Sequence, residues 1–327
     1  MRSFRPFTSL LLCFTLVFSL SACQSGGESS ESSESTTAVG VSLLTMTHPF
    51  FQNLAKGLED GAAENGMTVT VNSAEFDVAR QRNQISDYIV QGVSAIVMSP
   101  ADSKAIGTAI QEANDAGIPV FTVDIAALAD GVQIVTHIAT DNYSGGRLAG
   151  EAVLEVLGES GGTVAIIDHP EVESVIQRTK GFADVINESG NGNVEIVAQL
   201  PGGGVKDKAF RVAEDILQAH PNLDVVFAIN DDTALGTVAA IEKAGKSGSV
   251  QVVGFDGTLE ARRAIRDGKI YADVIQHPHQ LGTMSIDAIV KYMNGEDLPA
   301  EQLIPATLYR QADAQADPSI QEEASSE

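Results

Sequence analysis

Short β-branched runs alternate with longer stretches of helical periodicity along most of this chain. Ala95-Ile-Val-Met98, Pro119-Val-Phe-Thr-Val123, Thr163-Val-Ala-Ile-Ile167, Asp224-Val-Val-Phe-Ala228 and Val250-Gln-Val-Val253 are strand-like. Residues 79–91, 103–116 and 209–220 carry the helical pattern between them. Strict alternation forces parallel strands with crossover helices, hence sheets covered on both faces. Turn signals stand at the expected helix ends, in Asn65-Gly66, Gln91-Gly92, Ala116-Gly117, Ala244-Gly245 and Asp267-Gly268. The alternation occurs twice, over residues 39 to about 123 and 163 to about 274. Between the two series lie His137-Ile-Ala-Thr-Asp-Asn142 and the glycine-rich Tyr143-Ser-Gly-Gly-Arg-Leu-Ala-Gly150, whose glycines suit close helix packing. The expectation is an α/β protein of two doubly wound parallel-sheet lobes, with a crossover near Ala139 and Thr140. Ligands in such folds sit beyond the carboxyl ends of the strands, so two facing lobes make a cleft.

The ends of the chain read differently. Arg2 and Arg5 precede an apolar run from Leu10 to Leu20, and Ser21-Ala22-Cys23 follows. A basic end, a short apolar run and small residues before a cut describe a secretory signal over residues 1–22. The run is too short to span a bilayer comfortably. Leu20-Ser-Ala-Cys23 resembles the bacterial lipobox, which implies cleavage before Cys23 and a lipid on its sulfur. Cys13 and Cys23 are the only cysteines, so the mature body is left with no thiol for a disulfide or a thiolate metal site. Residues 23–37 form a polar Ser/Glu tether, and residues 313–327 a similar disordered tail. Removal of the signal leaves 18 basic against 44 acidic residues, a net charge of −26. That charge argues against nucleic acid as a partner, and leaves the lipid as the route to a membrane.

Polar residues gather just past the apolar runs: Asp124, Asn230 with Asp231, Asp256 and Gln276. Phe50 and Phe51 stand in the same place after the first run, behind Pro49. Adjacent helical residues point about 100° apart, so one ring is expected in the core and the other is free for another task. Carboxylates, amides and a guanidinium bond the adjacent hydroxyls of a sugar, and an aromatic face covers its C–H side. Each residue also has a plain structural use. Asp256, Asp141 and Asp231 are candidate helix caps, Asn230 a turn former and Arg178 a solvated helix residue. His277-Pro-His279 has metal-like spacing but no neighbouring carboxylate in sequence. No phosphate loop, dinucleotide fingerprint, nucleophile elbow or spaced carboxylate pair occurs. No metal and no cofactor are expected.

From residue 39 to about 309 the chain resembles the type I periplasmic binding proteins, in particular the ribose-binding group. The resemblance rests on His48-Pro-Phe-Phe51, Met98-Ser-Pro-Ala-Asp102, Ile118-Pro-Val120, His137-Ile-Ala-Thr-Asp-Asn142, Val226-Phe-Ala-Ile-Asn-Asp231, Ala244-Gly-Lys-Ser247 and Val253-Gly-Phe-Asp-Gly-Thr258. It implies a multi-strand hinge, with residues 38–140 plus 276–301 in one lobe and 141–275 plus 302–312 in the other. It implies a monomer that delivers a sugar or polyol to the permease of an ABC importer. Phe50 and Phe51 fall at the sugar ring, and Asp124, Arg178, Asn230, Asp256 and Gln276 on hydroxyl-binding positions. Three places depart from the ribose-binding pattern. His48 replaces asparagine, Ile125 replaces arginine, and the glycines of Pro201-Gly-Gly-Gly204 stand near a ring-packing phenylalanine. The expected ligand is therefore not ribose. Presentation of a ligand to a membrane sensor is an alternative, and a secreted sugar-active enzyme another. The sugar-responsive repressors share the fold, but a signal and a tether stand here in place of their DNA-binding helices. The expected place of work is outside the cytoplasmic membrane, anchored by lipid.

Overall fold

The computed structural model describes residues 37–190 and 192–321. Cys23 and the signal lie outside these residues. The first series of elements runs β1 (Ala38–Leu43), α1 (Pro49–Glu64), β2 (Thr68–Ser73), α2 (Val78–Gln91), β3 (Ala95–Met98), α3 (Gly107–Asp115), β4 (Val120–Val123) and β5 (His137–Thr140). The second runs α4 (Asn142–Leu157), β6 (Gly162–Asp168), α5 (Glu173–Glu188), β7 (Val194–Pro201), α6 (Lys206–Ala219), β8 (Val225–Ala228), α7 (Asp231–Lys243), β9 (Gln251–Asp256), α8 (Leu259–Arg266) and β10 (Ala272–Ile275). The chain ends with α9 (Pro278–Met293), β11 (Glu301–Ile304), β12 (Thr307–Arg310) and α10 (Gln311–Ala316). Two six-stranded sheets result, ordered β11-β5-β4-β3-β1-β2 and β12-β10-β9-β8-β6-β7. All pairings are parallel except β10 with β12. The central strands are buried on both faces, which explains their unbroken apolar runs.

The chain passes between sheets three times, after Thr140, after Ile275 and between Ile304 and Thr307. Two boundaries read from sequence need correction. β11 pairs with β5 in the first sheet, so the first lobe's last segment runs to Ile304 rather than 301. The expected disordered tail is ordered through Gln321. There α10 and the turn Pro318–Ile320 bury Ala314 and Ile320 against the second lobe, and Asp317 accepts from Arg262 (3.1 Å) and Tyr309 (2.8 Å). The third helix starts four residues later than its pattern, because Asp102 accepts from Lys104 N and Ala105 N in a separate turn.

The two lobes use one packing device. A Cβ on Gly57 of α1 would lie 2.1 Å from the His279 carbonyl oxygen of α9, and one on Gly146 of α4 would lie 2.0 Å from that of Arg178 on α5. Only glycine permits such backbone contact. In the second lobe the device matters to the site, since it fixes the height at which α5 presents Arg178. His279 Nε2 meets Asp60 of α1 at 3.0 Å, so the His-Pro-His stretch does have a carboxylate beside it, distant in sequence.

Candidate functional site

The carboxyl ends of β1, β2, β4, β6, β8, β9 and β10 converge on a cleft between the lobes, with about 440 Å³ of space including its open mouth. All nine cleft residues picked out in the sequence line it: His48, Phe50, Phe51, Asp124, Ile125, Arg178, Asn230, Asp256 and Gln276.

The first lobe supplies faces. His48 is the N-cap of α1, its Nδ1 accepting from Phe50 N at 3.1 Å, with Pro49 pre-set at the first helical position. This cap aims Nε2 into the cleft. Phe50 and Phe51 meet edge to face, centroids 5.1 Å apart. The expectation of one core ring and one spare ring is corrected: both rings are buried and both line the cleft. The cleft is a second interior, so the α1 N-terminus need not choose one burial direction. Asp124 has φ 64 and lies between Val123 O and Ile125 N, which bond at 2.7 Å. This is a γ-turn of the strained hand, a form that clusters at functional sites. Burial pushes the Asp124 carboxyl up to about 7. Ile125 follows it and is fully apolar at the cleft wall.

The second lobe supplies a connected polar network. Arg178 is buried rather than solvated. Its Nε donates to Asn142 Oδ1 (2.8 Å), and its Nη1 to the Ile229 carbonyl (2.7 Å) and, at the limit of bonding distance, to Asp256 Oδ1 (3.5 Å). Its guanidinium lies 3.8 Å over the Phe255 ring. Gln276 Nε2 donates to Asp256 Oδ1 at 2.6 Å, and His48 Nε2 stands 3.4 Å from Asp256 Oδ2. Asp256 is no helix cap; that task belongs to Thr258, whose Oγ1 accepts from Ala261 N. Asp256 instead has φ 118 and closes β9. Asn230 caps α7, accepting from Thr233 N, while its Nδ2 holds the Gly204 carbonyl. Asp141 does cap α4. Below the site, Asp231 and Asp273 accept from the successive amides Thr258 N (2.6 Å) and Gly257 N (3.1 Å). Burial pushes both carboxyls up, Asp273 to about 7, and the Asp256 charge pushes the same way.

Among the cleft residues that sequence reasoning missed, two carry aromatic rings, Phe76 and His169. His169 follows β6 directly, so the strand-end rule that selected Asp124 also points to it. Phe76 lies between β2 and α2 at φ 59, next to Glu75 at φ 53, with no glycine or asparagine to mark the turn.

His48 Nε2, Asp124 Oδ1 and Gln276 Oε1 are buried with no hydrogen-bond partner. A buried polar atom without a partner costs about 1–3 kcal/mol. The cleft thus offers polar atoms with open bonding capacity, in one lining with the two rings and Ile125, Val172 and Val175. This is a surface for a compact molecule with hydroxyls on one side and C–H on the other.

The periplasmic binding protein domain family matches residues 39–297. The chain is 32% identical over 308 residues to the ribose import binding protein of Bacillus subtilis, covering 93% of this chain and 98% of that one. Among solved structures it is similar to an ABC transporter periplasmic solute binding protein from Actinobacillus succinogenes with bound D-allose. That match has TM-score 0.79 and 27% identity, and covers 86% of this chain and 100% of that one. It is also similar to a Mycobacterium smegmatis structure in complex with β-D-fucofuranose, with TM-score 0.82, 29% identity and coverage of 88% and 96%. The first bears the name of an import binding protein and the second that of an ABC transporter solute binding protein. Two parallel-sheet lobes, a cleft at their strand ends and these likenesses lead to one placement: the chain belongs to the periplasmic binding protein family.

Proposed function

We propose that this protein captures a monosaccharide or related polyol in the interlobe cleft and delivers it to an ABC importer. The observation that carries the reading is the set of three buried polar atoms without a hydrogen bond, on His48, Asp124 and Gln276, lining the same cleft as the Phe50 and Phe51 rings. Hydroxyls donate and accept, so one sugar can satisfy all three at once. The names of the B. subtilis and A. succinogenes relatives support the same reading. Arg178 and Asp256 fix the ligand from the second lobe, the two rings cover it from the first, and binding holds the lobes together. Among the described residues no helix is long and apolar enough to cross a membrane. A lipid on Cys23 then tethers a monomer outside the cytoplasmic membrane, and the permease is its protein partner.

Ile125 excludes ribose as the preferred ligand in this reading. A hydroxyl facing Ile125 has no partner there and costs about 1–3 kcal/mol. The preferred ligand is deoxy or otherwise apolar on that side. Calorimetry with pentoses, hexoses, deoxysugars and polyols tests this on the unmodified protein and on Ile125→Arg. A deoxysugar or polyol should bind best, and Ile125→Arg should shift preference toward ribose. Sub-micromolar ribose binding by the unmodified protein overturns the Ile125 argument. Failure of every member to bind overturns the sugar.

A further inference from the structure

Phe76 is the most exposed of the cleft-lining residues, at 36%, whereas its aromatic neighbours Phe50 and Phe51 are buried. Its ring stands at the mouth. Two consecutive left-handed residues, Glu75 and Phe76, bring it there, and such backbone persists only when its surroundings hold it. Here Ala74 N bonds Leu43 O (2.8 Å), Phe76 N bonds Leu44 O (3.0 Å), and Glu75 pairs with Arg80 (3.0 Å). Across the mouth, from the other lobe, stands His169, ring centroids 6.1 Å apart and tilted 47°. Burial lowers its pKa, so the ring is neutral at neutral pH. Gly204 lies beside it, where a Cβ would stand at ordinary contact distance, 3.5 Å from His169 Nδ1.

Beside the rings the same two lobes are clasped by hydrogen bonds. Ser103 N donates to the Glu171 carbonyl at 3.0 Å, and Glu173 N donates to Ser103 Oγ at 2.9 Å. The N-cap of α5, Val172, has no side-chain cap of its own. The Ser103 hydroxyl of the first lobe therefore caps the helix that carries Arg178.

We propose that Phe76 and His169 form an aromatic gate over the cleft mouth that sets the size and polarity of ligand accepted on its outward side. The proposal rests on the sugar reading for the chemistry of its ligand. A bulky or glycosidic substituent pointing outward would have to part the rings, whereas a C–H or methyl edge lies against them. The gate selects unlinked monosaccharides or cyclic polyols that are bare on that edge. Ser103 holds the closed state without meeting the ligand, so it governs retention and not choice.

The test compares Phe76→Ala, Phe76→Tyr and Ser103→Ala with the unmodified protein against D-ribose, D-fucose, D-allose and myo-inositol. Phe76→Ala should change the ratio of affinities between the smaller and bulkier members by about tenfold, and Phe76→Tyr should keep the order. Ser103→Ala should speed release of every ligand by a common factor of about fivefold. Unchanged ratios in Phe76→Ala, or a uniform loss like that of Ser103→Ala, overturn the gate. A second readout needs no ligand. The body of the mature chain has no cysteine, so the double variant Phe76→Cys, His169→Cys should be joined across the mouth by dibromobimane. Absence of that cross-link overturns the gate, whereas absence of sugar binding with the cross-link formed overturns only the sugar.

Discussion

The two walls of the cleft are built on opposite plans. In the second lobe Arg178 and Asp256, with Gln276 at the crossing just after β10, bond to one another and to Asn142 and the Ile229 carbonyl, and form one network. In the first lobe His48 stands at the start of α1, Asp124 and Ile125 stand side by side on the turn after β4, and the Asp124 Oδ1 atom has no hydrogen-bond partner. One wall is assembled before a ligand arrives; the other offers rings, an apolar stop and a lone acceptor. Pre-organised groups give up little order on binding. The second lobe is thus suited to fix the ligand, and the first to judge its shape.

Arg178→Ala should break this contrast most severely. It strips a buried cation from Asn142, Ile229 and the Phe255 ring and leaves Asp256 without it, and removing one partner of such a buried pair costs about 3–5 kcal/mol. Thermal unfolding should show a large drop together with loss of binding. An unaltered melt would mean that the second wall is no more pre-assembled than the first. Asp256→Ala comes next. It should weaken binding by about 1.5–3 kcal/mol, roughly ten- to 150-fold. Its effect on stability should be smaller, because relief of repulsion with Asp231 and Asp273 offsets the lost bonds. A fall in melting temperature with affinity intact would refute its role on the ligand. The smallest effect concerns pH. Asp231 and Asp273 have raised folded pKa values, so their contribution to stability is full below about pH 4 and is lost as pH rises, for Asp273 through about 7. Asp273→Asn should therefore melt with a shallower decline between pH 5 and 8 than the unmodified protein. His137, pushed down to about 4 by burial, acts in the opposite sense below about pH 6.5. Being common to both proteins, it cancels in the difference.

The alternation of strand and helix was enough to read the two sheets, because buried parallel strands must be continuously apolar. The hydroxyl-binding candidates were legible for a related reason. A polar residue directly after such a run, as at Asp124 or Asp256, has only the strand's carboxyl end to occupy. β11 was misassigned because Glu301-Gln-Leu-Ile304 carries no strong β pattern and pairs only at an edge. The ordered tail was missed because its anchors, Ala314 and Ile320, are isolated apolar residues in a polar stretch. Phe76 was invisible for a different reason. Its turn is held by tertiary bonds to Leu43 and Leu44, and local sequence encodes no such support.

The three crossings of the chain bear on the order of folding. The residues from Asn142 to Ile275 supply five of the second sheet's six strands in one unbroken stretch. The first lobe, begun at Ala38, lacks both α9 and β11 until residue 304 has been made. The Gly57 face of α1, shaped for α9, therefore stays bare through most of synthesis and export. Contacts of such long sequence separation form late, since loop closure must precede them. The lobe that begins first is thus closed only near the end of the chain, just before β12 completes the second sheet. Its exposed α1 face during that delay is where a chaperone would find this chain, and where a slowed strand β11 would first show as aggregation.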